Sequence, residues 1–123
     1  MNTKSLEVSI VGAGIGGLTA ALALKQRGHV PKVYEKASVL SELGAGVQLS
    51  PNANKVLIYL GLKDELKKDI FEPEAFQFLH YRTGKVLAKQ TLKNLSIKAY
   101  GAPNYDIHRA DLQNILLREI DKK

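Results

Sequence analysis

Gly12, Gly14 and Gly17 set the spacing G-x-G-x-x-G inside the stretch SIVGAGIGGLTAALALKQRGH, residues 9–29. The bare spacing says little. Here, however, it follows an aliphatic run and opens an alanine-rich segment with helical periodicity, and an acidic residue, Glu35, stands eighteen positions after Gly17. Together these make the fingerprint of a dinucleotide-binding turn. Each residue type has a physical task. Gly12 permits the tight turn, Gly14 lets a pyrophosphate meet the backbone with no Cβ between them, and Gly17 lets helix and strand pack closely. The anion would rest at a helix N-terminus, where roughly half a positive charge and several unpaired N–H groups collect. Glu35 is placed to accept hydrogen bonds from both hydroxyls of a ribose, and its charge disfavours a 2′-phosphate, which argues against NADP in this turn. NAD and FAD both use such a turn, and the spacing does not choose between them.

Few other residues suggest chemistry. The chain has no cysteine, which excludes disulfides, thiolate metal ligands and a cysteine nucleophile. His29, His80 and His108 are scattered without metal-ligand spacing, so no metal site is expected, and no side chain is assigned as catalytic. The net charge of +6 comes from 18 basic and 12 acidic residues spread along the chain, which reads as solvated surface and not as a nucleic-acid footprint. No apolar run approaches the roughly 20 residues needed to span a bilayer, so membrane insertion is not expected. The N-terminal stretch MNTKSLEVSI lacks the apolar core of a signal peptide, and a cytoplasmic location is expected. At 123 residues there is room for one small domain with a modest core.

The elements that would carry the turn follow from periodicity. Residues 6–12 read as a buried parallel strand, and Ile15 onward as a helix with Leu18, Ala21, Leu22 and Lys25 on one face and Gly28 as its terminal glycine. HVPKVYEK, residues 29–36, makes a second strand with Pro31 near its start. The sum is a right-handed βαβ unit. Residues 41–49 read as a glycine-bearing loop. Ser50 then suits a helix N-cap, Pro51 the first helical position, and Ala53, Val56, Leu57 and Leu60 form an apolar stripe that ends at Gly61. A short amphipathic piece over residues 63–70 follows. The period changes at Glu72–Pro73, and residues 75–92 read as a hairpin turning at Thr83 and Gly84. Residues 93–107 read as loop with at most a short strand. HRADLQNILLREI, residues 108–120, closes the chain as a helix with Leu112, Ile115, Leu116 and Ile120 inward.

Beyond the core fingerprint, Gly12, Gly14, Gly17, Ala20, Ala21, Leu24 and Gly28 extend the pattern to G-x-G-x-x-G-G-x-x-A-A-x-x-L-x-x-x-G. With YEKA after the second strand, LGAGVQLSPNANKVLIYLGL over residues 43–62 and HRADLQNILL from His108, the chain resembles the N-terminus of FAD-dependent aromatic hydroxylases of the salicylate hydroxylase type. The matches occur in family order and span nearly the whole chain. The resemblance implies an α/β fold with a Rossmann-like FAD-binding βαβ unit, an added hairpin and a C-terminal helix. It implies FAD as cofactor, NADH or NADPH as reductant and hydroxylation of a small aromatic substrate. It makes Gly12, Ala13, Gly14 and Gly17 the pyrophosphate turn, Glu35 the ribose ligand, Lys36 a neighbour of the adenosine, Gly46 and Val47 backbone near the flavin, and Arg109 a side-chain donor to the cofactor. His108 and Asp111 are assigned no catalytic role. On this basis residues 1–72 are the FAD-binding unit with its following loop and helices, 73–100 the hairpin that begins a substrate domain, and 101–123 a return segment and helix of the first domain. The family is roughly three times longer and carries later Asp-Gly and Gly-Asp motifs, neither of which occurs in this sequence. An N-terminal fragment, incomplete relative to the family fold, is therefore expected. Two alternatives remain open: a non-catalytic dinucleotide-binding remnant or module, and an NAD-dependent dehydrogenase fragment, against which the GAGVQLSPNA and HRADL stretches count. The oligomeric state is not legible.

Overall fold

The structure, a computed structural model, describes residues 4–38 and 45–122. Its N-terminal βαβ unit consists of β1 (Glu7–Val11), α1 (Ile15–Gln26) and β2 (Val30–Tyr34), with the strands parallel and Glu7 opposite Val30 through Val11 opposite Tyr34. Gly28, at φ +80°, follows Arg27, the C-cap of α1. Pro31 pairs opposite Val8 near the start of β2. β1 is not fully buried as its aliphatic sequence suggests. Val8 and Ile10 are half-covered, whereas Val11 on the other face is 91% exposed. Two paired strands carry helix on one face only, so only one set of alternating side chains is covered.

A second sheet is built from short, distant segments. β3 (Gly46–Leu49) and β4 (Ile70–Phe71) flank β7 (Tyr105–His108), all antiparallel, with β7 in the centre. Residues 46–49 are therefore a strand and not loop; the earlier part of that stretch, 41–44, lies outside the described residues. The piece read as amphipathic over 63–70 divides into a short helix, α3 (Lys63–Leu66), and the start of β4. The segment read as loop over 93–107 contains a helix, α4 (Leu95–Tyr100), as well as most of β7. α4 escapes the sequence because Asn94 enters it with φ +62° and only six residues follow before Gly101, at φ +75°, ends it. Its anchor is tertiary: Ser96 is buried and paired with Asn104.

α2 (Pro51–Tyr59) begins after Ser50, whose hydroxyl bonds the Asn52 side chain instead of capping the helix backbone. Asn54, fully buried, donates through Nδ2 to the carbonyls of Leu49 (2.9 Å) and Pro103 (2.8 Å), tying α2 to β3 and to the segment that leads into β7. The hairpin of β5 (Ala75–Leu79) and β6 (Val86–Thr91) turns through Gly84 and has an irregularity between Phe78 and Leu79. The chain closes with α5 (Arg109–Asp121). The core lies where α1 and α5 pack together: Leu18 and Leu22 join Leu112, Ile115 and Leu116, with Leu57, Leu62, Leu66 and Ile107 alongside. Lys25 donates through Nζ to the carbonyls of Ile120 and Lys122 (2.6 Å for the latter), placing a charged donor at the C-terminal end of α5.

Candidate dinucleotide site

The glycine turn joins the end of β1 to the start of α1. Gly12 adopts φ +98°, a conformation open to glycine, and its N–H donates to the Tyr34 carbonyl at 2.7 Å, which closes the turn onto β2. Gly17 is required for packing: a Cβ there would lie 2.1 Å from the Gly12 carbonyl oxygen. Gly14 and Gly16 differ from both. A Cβ at either would meet nothing within 4 Å. Gly14 is the N-cap residue of α1 and has ordinary extended angles, so neither the fold nor the backbone demands glycine at this point. The first turn of α1 holds no acidic residue and no side-chain cap, which leaves its positive end uncompensated from within the helix.

Glu35, just beyond β2, is bound to this turn. Its Oε2 accepts from the Ala13 N–H at 2.7 Å and its Oε1 from the Ala37 N–H at 2.9 Å. These backbone donors, Ala37 first and Ala13 second, hold its carboxyl below the usual glutamate value even though the side chain is exposed. Lys36 follows it, exposed at the same edge.

The Ala13 peptide is gripped from the other side as well. Gln113 on α5, only 3% exposed, donates through Nε2 to the Ala13 carbonyl oxygen at 2.8 Å. Sequence reasoning missed Gln113. A glutamine in a helix carries no motif of its own, and the only available signal was a polar residue between the inward positions Leu112 and Ile115. Gln113 lies one helical turn after Arg109, whose N–H donates to the Ala45 carbonyl at 3.0 Å. Gly46 pairs with His108 and Val47 with Ile107, so the start of β3 lies beside the start of α5. The structure thus draws Gly12, Ala13, Gly14, Gly17 and Glu35 into one turn, sets Gly46, Val47 and Arg109 at another junction, and links the two through α5. Among the described residues there is no group of three or more His, Asp or Glu able to hold a metal ion, and no helix is long and apolar enough to cross a membrane.

A parallel βαβ unit with a closed glycine turn, a helix N-terminus with no acidic residue in its own first turn and an acidic residue at the end of the second strand defines a Rossmann-like dinucleotide-binding fold. A family model described as an NAD(P)-binding Rossmann-like domain matches residues 10–56. The sequence is 37% identical over 118 residues to 6-hydroxynicotinate 3-monooxygenase of Pseudomonas fluorescens, covering 96% of this chain and 31% of that protein. It is 40% identical over 116 residues to 3-amino-4-hydroxybenzoate 2-monooxygenase of Streptomyces cremeus, covering 94% and 29%. Among solved structures, HpxO of Klebsiella pneumoniae complexed with FAD and uric acid superposes with a TM-score of 0.78 at 31% identity, covering 96% of this chain and 29% of that one. Over nearly its whole length the chain is thus similar to named aromatic-acid monooxygenases, and it spans about three tenths of the length of the relatives it matches.

Proposed function

We propose that this chain is the FAD-binding N-terminal portion of an NAD(P)H-using flavoprotein monooxygenase that hydroxylates a small aromatic substrate, acting in the cytoplasm. The observation that carries this reading is the glycine turn itself: Gly14 opens onto free space at the head of α1, in a chain whose nearly full length aligns with named monooxygenases. The fit to a dinucleotide is physical. Gly14 is glycine where the fold has room for a side chain, which makes sense if a ligand occupies that room. The N–H groups at the head of α1 would hold the pyrophosphate, Glu35 the ribose, and Lys36 would neighbour the adenosine. Gly46 and Val47 would offer backbone to the flavin, and Arg109 a donor. When bound, FAD supplies the redox chemistry that delivers oxygen to the ring. This chain's residues bind and orient the cofactor, and none is assigned a proton-transfer role. In the same reading residues 1–72 and 101–123 form the cofactor domain, and 73–100 begin the substrate domain.

The test is calorimetric titration of the purified chain with FAD, alongside Gly14→Val. Binding by the parent and its loss in a folded Gly14→Val variant is the expected result. Equal affinity in the two would refute a pyrophosphate at Gly14.

A further inference from the structure

Gln113 does more than fill the interface of α1 and α5. A trans peptide holds its C=O and N–H antiparallel, so whatever anchors the Ala13 carbonyl also aims the Gly14 N–H, which belongs to the same peptide unit. The anchor is the Gln113 amide, at 2.8 Å and 3% exposed, on a helix one hundred residues away in sequence. With that carbonyl drawn toward α5, the Gly14 N–H of the same peptide faces the opposite way. It meets no acceptor among the described residues. Glu35 grips the preceding peptide through the Ala13 N–H, so Ala13 is fixed on both sides. Without Gln113, no other hydrogen bond among the described residues holds the Ala13 carbonyl, and the Ala13–Gly14 peptide loses the anchor that sets its orientation.

We propose that Gln113 is a positioning residue for the phosphate end of the nucleotide site: by fixing the Ala13–Gly14 peptide it presents the Gly14 N–H to the pyrophosphate. The proposal rests on the dinucleotide reading above and adds to it a residue on the distant helix. A role in phosphate recognition separates from a merely structural one through the choice of ligand. ADP carries the pyrophosphate; adenosine carries the ribose and base but no phosphate.

The experiment measures FAD, ADP and adenosine affinity for the full chain, for Gln113→Leu, which keeps the bulk and loses the donor, and for Gln113→His, which restores an N–H donor of comparable reach. Gln113→Leu should weaken ADP by about tenfold, the worth of one well-formed hydrogen bond to a ligand-orienting group. It should leave adenosine within about twofold on the same basis, and Gln113→His should recover most of the loss. In ligand-free protein, the Gly14 amide resonance should shift and its hydrogen exchange should quicken in Gln113→Leu, while the amide of Leu22, in the core that Ile115 shares, stays put. Equal weakening of ADP and adenosine, no weakening of either, or an unmoved Gly14 amide would overturn the positioning role. Failure of the unaltered chain to bind FAD or ADP would instead remove the dinucleotide reading, and this role with it.

Discussion

A methyl group on Gly17 would sit 2.1 Å from the Gly12 carbonyl oxygen, whereas one on Gly14 would touch nothing. Two glycines of one motif therefore stand in different surroundings, and substitution separates them. Gly17→Ala should cost about 1–3 kcal/mol of stability in urea unfolding, the usual range for forcing atoms into a filled space. Gly14→Val should unfold within about 0.5 kcal/mol of the parent and yet lose FAD. Glu35 offers a pH test. Its folded carboxyl titrates below the ordinary glutamate value because backbone N–H groups favour the ionised form. The stabilisation this provides is fully present above the unfolded value and is lost as pH falls toward the lower folded one. The stability difference between the parent and Glu35→Ala should thus be constant from about pH 7 to about 5 and narrow below about 4.5, as read by urea unfolding across that range. A difference that grew on acidification would contradict the backbone bonding of this carboxylate.

At the scale of the element, α5 does two jobs with two faces. Leu112, Ile115 and Leu116 are buried against α1, so Leu116→Ala should lose about 2–5 kcal/mol, enough to unfold much of a small domain. Its first two turns, by contrast, bring the Arg109 N–H to the Ala45 carbonyl just before β3 and the Gln113 side chain to the glycine turn. Arg118 lies nine residues further along, about 13 Å away at 1.5 Å per residue, and is exposed. Arg109→Ala should lower FAD affinity and Arg118→Ala should leave it near the parent value. Equal losses in the two titrations would mean that the helix as a whole, and not a contact at its head, had been disturbed.

For the molecule as a whole, the surface is unusually apolar in places. Val11 is 91% exposed, Phe71 65%, Leu87 63% and Phe78 59%. Among the described residues β1 and β2 form a sheet of two strands and β5 and β6 pair with each other alone, so both present open edges. Isolated two-stranded pieces are marginal in water, and open edges invite pairing with other chains. The chain alone should self-associate in sedimentation velocity as concentration rises, and Phe78→Lys with Leu87→Glu should shift it toward monomer. Spanning about three tenths of its relatives' length, it should also hold FAD weakly and oxidise no NADH or NADPH in the presence of phenolic acids. Stoichiometric FAD with substrate-dependent oxidation would show instead that these residues make a complete catalytic unit.

The amino-acid sequence by itself determined the features that depend on neighbours within a few turns of chain. The turn at Gly12–Gly17 was legible because a tight strand-to-helix reversal admits few residue types, and α1, α2 and α5 because each repeats an apolar stripe over two or more turns. Gly28 and Gly61, both at positive φ, marked helix ends for the same local reason. Only the tertiary structure decided the rest. β3, β4 and β7 are two to four residues long, too short for a period to declare itself, and they are strands because they bond one another across dozens of residues. α4 is held by its contacts more than by its composition. Gln113 reaches Ala13 across one hundred positions, and Glu35 bonds the turn before any ribose is considered. A hydrogen bond between distant residues leaves no trace in spacing, because its partners are brought together only when the helices bury their apolar faces.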